Sequence, residues 1–588
     1  MVENICSYFL KKQNLPGFAV KFKVNGEWKT LTWQEYIQKV EFVAGGLKKK
    51  GVNHGTHVAI MSGTRVEWSI ADLAILGLGG VSIPIYPSNT TEEMTYILNN
   101  SETQFLFLED GSQLDKWNKI SSQCPNIKEV FIFTPHKEKN AATLSDLEKL
   151  GKQVVKDSPG LYAKSVSQIK LSDLASIHYT SGTTGVPKGV SLTHTQVTSE
   201  VVDVFSELGM ISGDLTLTFL PFSHILGHVE YWGSIYLGYS IAFAESIDKI
   251  RDNLKEVSPT VLVAVPRIFE KIYNGVVSQA EINPTKKKIF NWACSVGAQV
   301  SKYKRSNKTI PLTLFLQYGI AQKLVFSKLH QGLGGKLKFC ISGSAPLSQQ
   351  IAEFFHAAGI LILEGYGLTE TTAAITLNRP HDYEFGTVGR ALPNVQLKIA
   401  SDGEVLVKSD KVMTEYYKNV EATKEVMQDG WFATGDIGEL TDRGFLRLTD
   451  RKKDLIKTAG GKYIAPQKLE NLLKLNKYIS NVLIHGDQKK YVIALLTLNP
   501  DEVKRYAQNN NIAYENFAEL TKKPEVQSLV RDAVANVNSG LASYETIKTF
   551  EILPNDFTVE SGELTPSMKV KRKFCDKKYK EIIDSLYA

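Results

Sequence analysis

Between Tyr179 and His194 the chain reads Tyr-Thr-Ser-Gly-Thr-Thr-Gly-Val-Pro-Lys-Gly-Val-Ser-Leu-Thr-His. The hydroxyls of Thr180, Ser181, Thr183 and Thr184, three glycines (Gly182, Gly185, Gly189) and Lys188 crowd the part from 180 to 189. That combination suits a phosphate group. Glycines let backbone N–H groups come close, hydroxyls donate to the oxygens, and the lysine adds charge. A bare Ser/Gly/Thr tract is more often a surface loop, but this string is much longer than a lone glycine motif. It is not a Walker loop, because no Gly-Lys-Ser/Thr follows at the required spacing. A second segment, Glu364-Gly-Tyr-Gly-Leu-Thr-Glu370, places Tyr366 between Gly365 and Gly367 and ends in Thr369 and Glu370. An aromatic face suits a nucleotide base and a carboxylate suits a hard cation, although Tyr-Gly alone is more often a turn.

Other candidates carry plainer alternatives. The run Asp450-Arg-Lys-Lys-Asp454 reads first as a solvated face, above all at Lys452. In the basic tail from Glu563 to Lys573, any single lysine is by default solvated. His224, in Pro-Phe-Ser-His, is explained as well by packing as by a pocket. If this stretch is helical, His228 and Trp232 are close enough to line the same pocket, and core packing explains them equally well.

Taken together, these segments resemble the adenylate-forming superfamily, which includes acyl-coenzyme A synthetases, luciferases and peptide-synthetase adenylation domains. The resemblance spans nearly the whole chain, from about residue 15 to about residue 580. It implies that Thr180, Ser181, Gly182, Thr183, Thr184, Gly185 and Lys188 hold the phosphates of ATP. Gly343, Ser344 and Ala345 of Ser342-Gly-Ser-Ala-Pro346 would lie against adenine and the acyl chain. In the 364–370 segment, from Glu364 onward, Tyr366 would stack on adenine, Thr369 would contact the α-phosphate and Glu370 would help hold Mg²⁺. Asp436, closing Trp431-Phe-Ala-Thr-Gly-Asp436, would take the ribose hydroxyls, with Arg451 continuing that contact. His224 and Gly343 would border the acyl pocket. Lys453 falls at the interdomain hinge, and Gly460 and Gly461 on the loop lining the coenzyme A tunnel. Aligned from Thr565, Lys569 falls on the catalytic lysine, with Met568 in place of the usual glycine and Lys571 as its rival. The wording of residues 451–467 resembles long-chain fatty-acid ligases more than acetate or aromatic-acid ligases. Before Tyr416 and Tyr417 a usual glycine is missing, which on this reading affects only a surface turn. Pro266-Arg-Ile-Phe-Glu-Lys271 resembles a segment of long-chain ligases and is given no catalytic role.

The implied reaction activates a fatty acid with ATP through an acyl adenylate, then passes the acyl group to coenzyme A. Lys569, Glu370 and Thr180 would be catalytic. A ligase that loads a carrier protein, a non-catalytic acyl-binding protein on the same fold and an oxygen-using luciferase are the competing readings. Retention of Lys188, Glu370, Asp436, Arg451 and Lys569 together argues against the non-catalytic one.

The elements that must position these residues follow from periodicity. Thr32 and Glu35 have capping-box spacing, and Tyr36, Val40, Val43 and Leu47 then share a helical face that Gly51 ends. The stretches 57–61, 81–87, 103–108 and 129–133 read as strands separated by helices, and 260–265 and 337–341 continue the pattern. This predicts an α/β fold with mostly parallel sheets. Short strands broken by turns from about 386 to 450 predict a small β-rich subdomain. The charged run at 450–454 marks the boundary between an N-terminal domain, 1–450, and a smaller, mobile α+β C-terminal domain, 451–588.

Composition sets outer limits. With 588 residues, 43% hydrophobic and 22% charged, the chain is globular and large enough for several cores. A net charge of +7 does not by itself indicate nucleic acid; it suits polyanionic small molecules or an anionic membrane surface. The five cysteines form no CxxC pair, which argues against a zinc site or disulfide framework and fits a reducing, cytoplasmic setting. The start shows no signal-peptide pattern. The longest apolar stretch, 73–85, is short of the ~20 residues a bilayer crossing needs. Peripheral membrane contact and a homodimer remain compatible with the sequence.

Overall fold

The computed structural model describes residues 3–135, 141–180, 186–565 and 568–588. Two large sheets form the body. One has nine strands, in the spatial order 390–391, 373–377, 361–368, 339–342, 261–264, 215–218, 240–243, 18–24 and 27–32. The other has eight, in the order 415–416, 188–193, 174–180, 81–85, 57–61, 105–108, 129–132 and 142–143. Interior pairs are parallel, and antiparallel pairing is confined to the ends. Parallel strands need helical crossovers that cover both faces, so their sequences are continuously apolar. Val81–Ile85 and Phe105–Leu108 are accordingly buried at every position.

Four helices, Trp33–Lys50, Val66–Gly77, His194–Glu207 and Ile225–Leu237, contribute to the one apolar core that joins both sheets. The first begins at the expected capping box, with the Glu35 N–H donating to Thr32 Oγ1 at 3.2 Å and the Thr32 N–H to Glu35 Oε2 at 2.8 Å. Gly51 ends it in the left-handed region at φ 102°. The 73–85 apolar stretch resolves into the end of the second helix, inside that core, and the 81–85 strand, whose Val81, Ile83 and Ile85 pack into a second apolar cluster. Trp68, Trp232, Tyr36 and Tyr231 are all but fully buried in the core that joins both sheets. Burial of each such side chain is worth roughly 1.5–3 kcal/mol.

The expected β-rich segment is a third, antiparallel sheet of five strands drawn from residues 396–451. Beyond it, the strands Ile479–His485, Val492–Leu498 and Ile547–Ile552 form a small sheet flanked by the helices Pro466–Lys474, Pro500–Asn509 and Pro524–Asn538. These elements have apolar cores of their own. The small domain docks on helix Pro266–Glu281 of the large one. Arg267 donates to the Ser480 carbonyl at 3.0 Å and to Ser480 Oγ at 2.9 Å, Ser278 Oγ donates to Glu502 at 2.8 Å, and Lys477 pairs with Glu281.

Candidate active site

A cleft of about 1870 Å³ opens where the two large sheets, the β-rich sheet and the small domain meet. The two ends of the hydroxyl- and glycine-rich segment, Thr180 and Lys188, stand opposite each other on the paired strands Leu174–Thr180 and Lys188–Thr193. Thr180 Oγ1 reaches the Lys188 carbonyl at 3.4 Å. Ser181, Gly182, Thr183, Thr184 and Gly185 lie outside the described residues. Both Thr180 and Lys188 line the cleft. A hairpin, not a strand-to-helix turn, carries this loop, in keeping with its departure from a Walker motif.

Lys188 Nζ sits 4.9 Å from the ring centre of Tyr416, whose hydroxyl donates to Glu370 Oε1 at 2.8 Å. This corrects the reading of Tyr416 as part of a surface turn. The two-residue strand Glu415–Tyr416 pairs with the 188–193 strand, placing Tyr416 opposite Val190 and leaving it only 5% exposed. Its phenol links the loop lysine to the carboxylate. Sequence reasoning missed this role because pairing between positions more than two hundred residues apart leaves no local signal.

The 361–368 strand delivers the second segment. Its register with 373–377 shifts between Tyr366 and Gly367. A Cβ on Gly367 would lie 1.3 Å from the Ala373 carbonyl oxygen, so only glycine fits there. The bulge leaves Tyr366 facing the cleft, its hydroxyl donating to Asp436 Oδ2 at 2.7 Å. Glu370 follows in a single 3₁₀ turn, after which Thr372 and Ala373 take positive φ of 56° and 87°. Such backbone costs about 1–3 kcal/mol per residue and persists only where its surroundings hold it. Here Glu200 Oε1 accepts from the Ala373-adjacent Ala374 N–H at 2.7 Å, and Thr372 Oγ1 donates to the Lys411 carbonyl at 2.7 Å. Lys411, fully buried, pairs with Glu200 at 3.2 Å and Asp203 at 3.3 Å. Burial pushes Glu200 up to about 7 against the pull of Lys411. This buried cluster braces Glu370 from behind, and no motif announces it.

Asp436 and Arg451 stand opposite each other on adjoining strands, with Arg451 Nε 3.3 Å from Asp436 Oδ1. Burial raises the Asp436 pKa, and Arg451 and Tyr366 oppose it. Gly343, Ser344 and Ala345 line the cleft on the loop after strand Phe339–Ser342, and Ser344 is held at φ 69°. Glu364, whose Oε2 accepts from the Leu347 N–H at 3.3 Å, is pushed up to about 8 by burial, so it is largely neutral at pH 7. Gly365 and Thr369 also line the cleft.

The small domain contributes Lys569 to this cleft. It follows a tight turn in which the Met568 N–H donates to the Thr565 carbonyl at 2.8 Å and the Thr565 N–H to the Lys569 carbonyl at 2.8 Å. Met568 occupies φ 62°, the left-handed region, which explains why a glycine is usual in that place. Protein of both domains surrounds the Lys569 side chain, although the cleft keeps it open to solvent on one side. Enclosure lowers its pKa to about 8, Arg451 adds to the fall, and Asp436 and Glu370 oppose it. Its charge is also felt by His224, which enclosure and then Lys569 hold down to about 3. His224 caps helix Ile225–Leu237, its Nδ1 accepting from the Leu226 N–H at 3.2 Å. It is therefore a neutral imidazole on the cleft wall, to which the apolar side chains of Leu226, Val229, Val204, Phe205 and Val263 also belong.

Several candidates fall elsewhere. His228 is fully buried, paired with Asp72 at 3.1 Å and stacked 3.7 Å from Trp232, so these two are core residues. Lys452 is not simply solvated: it bridges Asp402 and Glu404, each at 2.7 Å, and so anchors the 452–454 turn. Lys453 is exposed in that turn. Gly460 and Gly461 are exposed on the hairpin joining Ile456–Lys457 to Tyr463–Ile464, outside the cleft lining. Gly461 has φ 77°, so a turn requirement accounts for glycine at that position. Among the described residues, no group of three or more His, Cys, Asp or Glu side chains converges as a metal site.

Comparison with known proteins agrees with this geometry. Residues 12–417 match the model of the AMP-binding enzyme family, and residues 453–588 match that of the AMP-binding enzyme C-terminal domain. A long-chain-fatty-acid–CoA ligase of Mycobacterium bovis is 35% identical over 568 residues, covering 96% of this chain and 93% of the relative. Long-chain-fatty-acid–CoA ligase 5 of Mus musculus is 31% identical, covering 96% of this chain and 85% of the relative. The crystal structure of an anthranilate CoA ligase with anthranoyl-AMP superposes with a TM-score of 0.76 at 19% identity, over 99% of this chain and 98% of the other, and shows the shared fold. With both family models matched in order and full-length relatives above 30% identity, the chain belongs to the AMP-binding enzyme family.

Proposed function

We propose that this enzyme activates a long-chain fatty acid with ATP and joins it to coenzyme A. The observation that carries the reading is the position of Lys569. It shares one cleft with Asp436, Arg451 and Glu370, whose charges it feels, and with neutral His224 and the apolar side chains of Leu226, Val229 and Val263. A cationic group, a buried carboxylate and an apolar stretch of wall thus share one cleft. The names of the full-length relatives fit a fatty acid against that wall.

In the first step, a carboxylate oxygen of the acid attacks the α-phosphorus of ATP and pyrophosphate leaves with the bonding electron pair. Such a displacement is catalysed chiefly by positioning and charge neutralisation. Lys569 neutralises the α-phosphate, Lys188 and Thr180 hold the outer phosphates, Tyr366 faces adenine, and Asp436 takes the ribose. Glu370 fits a Mg²⁺ site, since this ion commonly uses one or two carboxylates together with substrate phosphates. Bound there, it would supply further phosphate charge neutralisation. In the second step, the coenzyme A sulfur attacks the acyl carbonyl, its proton is lost, and AMP departs.

The large domain, 1–450, would carry the nucleotide and acyl sites and the small one, 451–588, the lysine and the coenzyme A loop. Lys569 faces the cleft while Gly460 and Gly461 lie outside it, an arrangement suited to the first step. Turning at Lys453 would exchange them. Pyrophosphate release measured with acids of two to twenty carbons, with and without coenzyme A, tests the reading. Pyrophosphate and acyl-coenzyme A should form together and rise with chain length. Release that never leads to a thioester would point instead to a carrier-protein acceptor.

A further inference from the structure

Helix Leu312–Ala321 and the π-helical turn that continues it, Gln322–Phe326, carry a stripe of large apolar side chains facing solvent. Leu312 is 72% exposed, Phe315 59%, Leu316 59%, Ile320 53% and Leu324 54%. Their spacing puts them along one side, while Leu314, Ala321 and Phe326 turn inward to the core. Soluble proteins rarely leave such a contiguous patch without a use.

A second observation concerns charge. From residue 282 to residue 352 the chain has ten lysines and one arginine and no aspartate or glutamate. This segment therefore carries +11 against +7 for the whole chain, leaving the remainder at −4. All eleven basic residues are exposed. Only Lys287, Arg305 and Lys338 have ion-pair partners among the described residues, namely Glu281, Glu353 and Asp214. Helix Pro284–Arg305, which packs against the apolar helix, holds six of the eleven, and Lys308, Lys323 and Lys328 lie beside the stripe in sequence.

We propose that this helix pair docks the enzyme on an anionic phospholipid bilayer. An apolar ridge bordered by cations matches a surface that offers acyl chains beneath a layer of phosphates. The ten-residue helix is about 15 Å long, half of a ~30 Å hydrocarbon core, so it lies in the interface and does not span it. None of the described helices is long and apolar enough to cross. A second copy of this chain fits poorly, because it would bring two +11 surfaces together. Docking would also set the enzyme at a store of fatty acid, a benefit that rests on the proposed reaction; the docking itself does not.

The test is co-sedimentation of the full chain with vesicles of phosphatidylcholine alone or mixed equally with phosphatidylglycerol. The enzyme should bind the anionic vesicles at least ~10-fold better and release them as salt screens the charge. The triple variant Phe315→Ser, Leu316→Ser, Ile320→Ser should lose ~10-fold or more of that binding, with its melting temperature and its turnover of a soluble short acid unchanged. Replacing Lys286, Lys287 and Lys288 by Gln should weaken binding by about fivefold per charge brought near the lipid. Equal vesicle binding by the serine variant overturns the proposal. So does a wild type that ignores anionic vesicles, whether it stays monomeric or self-associates through the stripe. A folded enzyme that binds vesicles but activates no fatty acid would sink the proposed reaction and leave the docking intact.

Discussion

Replacing Lys569 by alanine separates the two half-reactions. In the proposed mechanism the lysine cation neutralises the α-phosphate, from a cleft enclosed enough to lower its own pKa to about 8. Two unit charges about 4 Å apart at an effective dielectric near 20 interact by ~4 kcal/mol. That corresponds to a loss of about 10³-fold in the rate of adenylate formation. The thioester step, started from supplied acyl-AMP, should keep most of its rate. The pH profile adds an independent reading. A lysine is charged below its pKa, so kcat/KM for ATP should fall as pH rises through about 8, with roughly a tenth of the lysine charged one unit higher. Bound phosphates favour the cation, so the same limb in kcat should move to higher pH. Pyrophosphate release in a single turnover, beside acyl-coenzyme A formation from acyl-AMP, provides the assay. Equal loss of both steps would refute the reasoning, and so would a Lys571→Ala variant that is worse than Lys569→Ala.

Glu370→Gln should raise the Mg²⁺ requirement for ATP use with little effect on fatty-acid binding; unchanged rates at low Mg²⁺ would remove the metal role. Gly460→Trp should spare pyrophosphate release and block thioester formation. It tests the coenzyme A loop more cleanly than a change at Gly461, whose positive φ confounds bulk with strain, and a melting curve is the control. Arg267→Ala removes two hydrogen bonds to Ser480 that hold the domains in the present arrangement. With the arginine partly exposed, adenylate formation should fall ~3–10-fold while thioester formation holds or rises; equal slowing of both would show a general defect. Glu230, with Thr218 Oγ1 donating to it at 2.9 Å, is pushed by burial up to about 8. A carboxyl whose folded pKa is raised contributes stability that is present below the unfolded value near 4.5 and lost as pH rises through about 8. Glu230→Gln should therefore gain in melting temperature relative to wild type between pH 6 and pH 9; parallel profiles would contradict this.

Much of this protein was legible in the sequence because the relevant physics is local. The Thr32–Glu35 capping box, the apolar runs at 57–61 and 81–85 and the broken strands after 386 each state their own element, and the structure contains all of them. The segments proposed to take phosphate and base are likewise marked by residue type, since hydroxyls, glycines and a lysine must be near neighbours to act on one phosphate. Other properties depended on contacts between distant segments. Sequence left His224 and His228 with the same choice between pocket and core. The tertiary structure separated them, placing one at the cleft and burying the other against Asp72, 156 positions away. Tyr416 read as a surface turn until strand pairing carried it to Glu370. No sequence motif marks Lys411, yet it is buried with Glu200 and Asp203 behind a strained bend. Lys569 and Lys571 are near-equivalent in a basic tail, and only the docking of the small domain on Arg267 and Glu281 brings the Lys569 charge to Asp436 and Glu370. A residue's type sets what chemistry it can do; its burial, its charge state and its partners are set by what the rest of the fold brings against it.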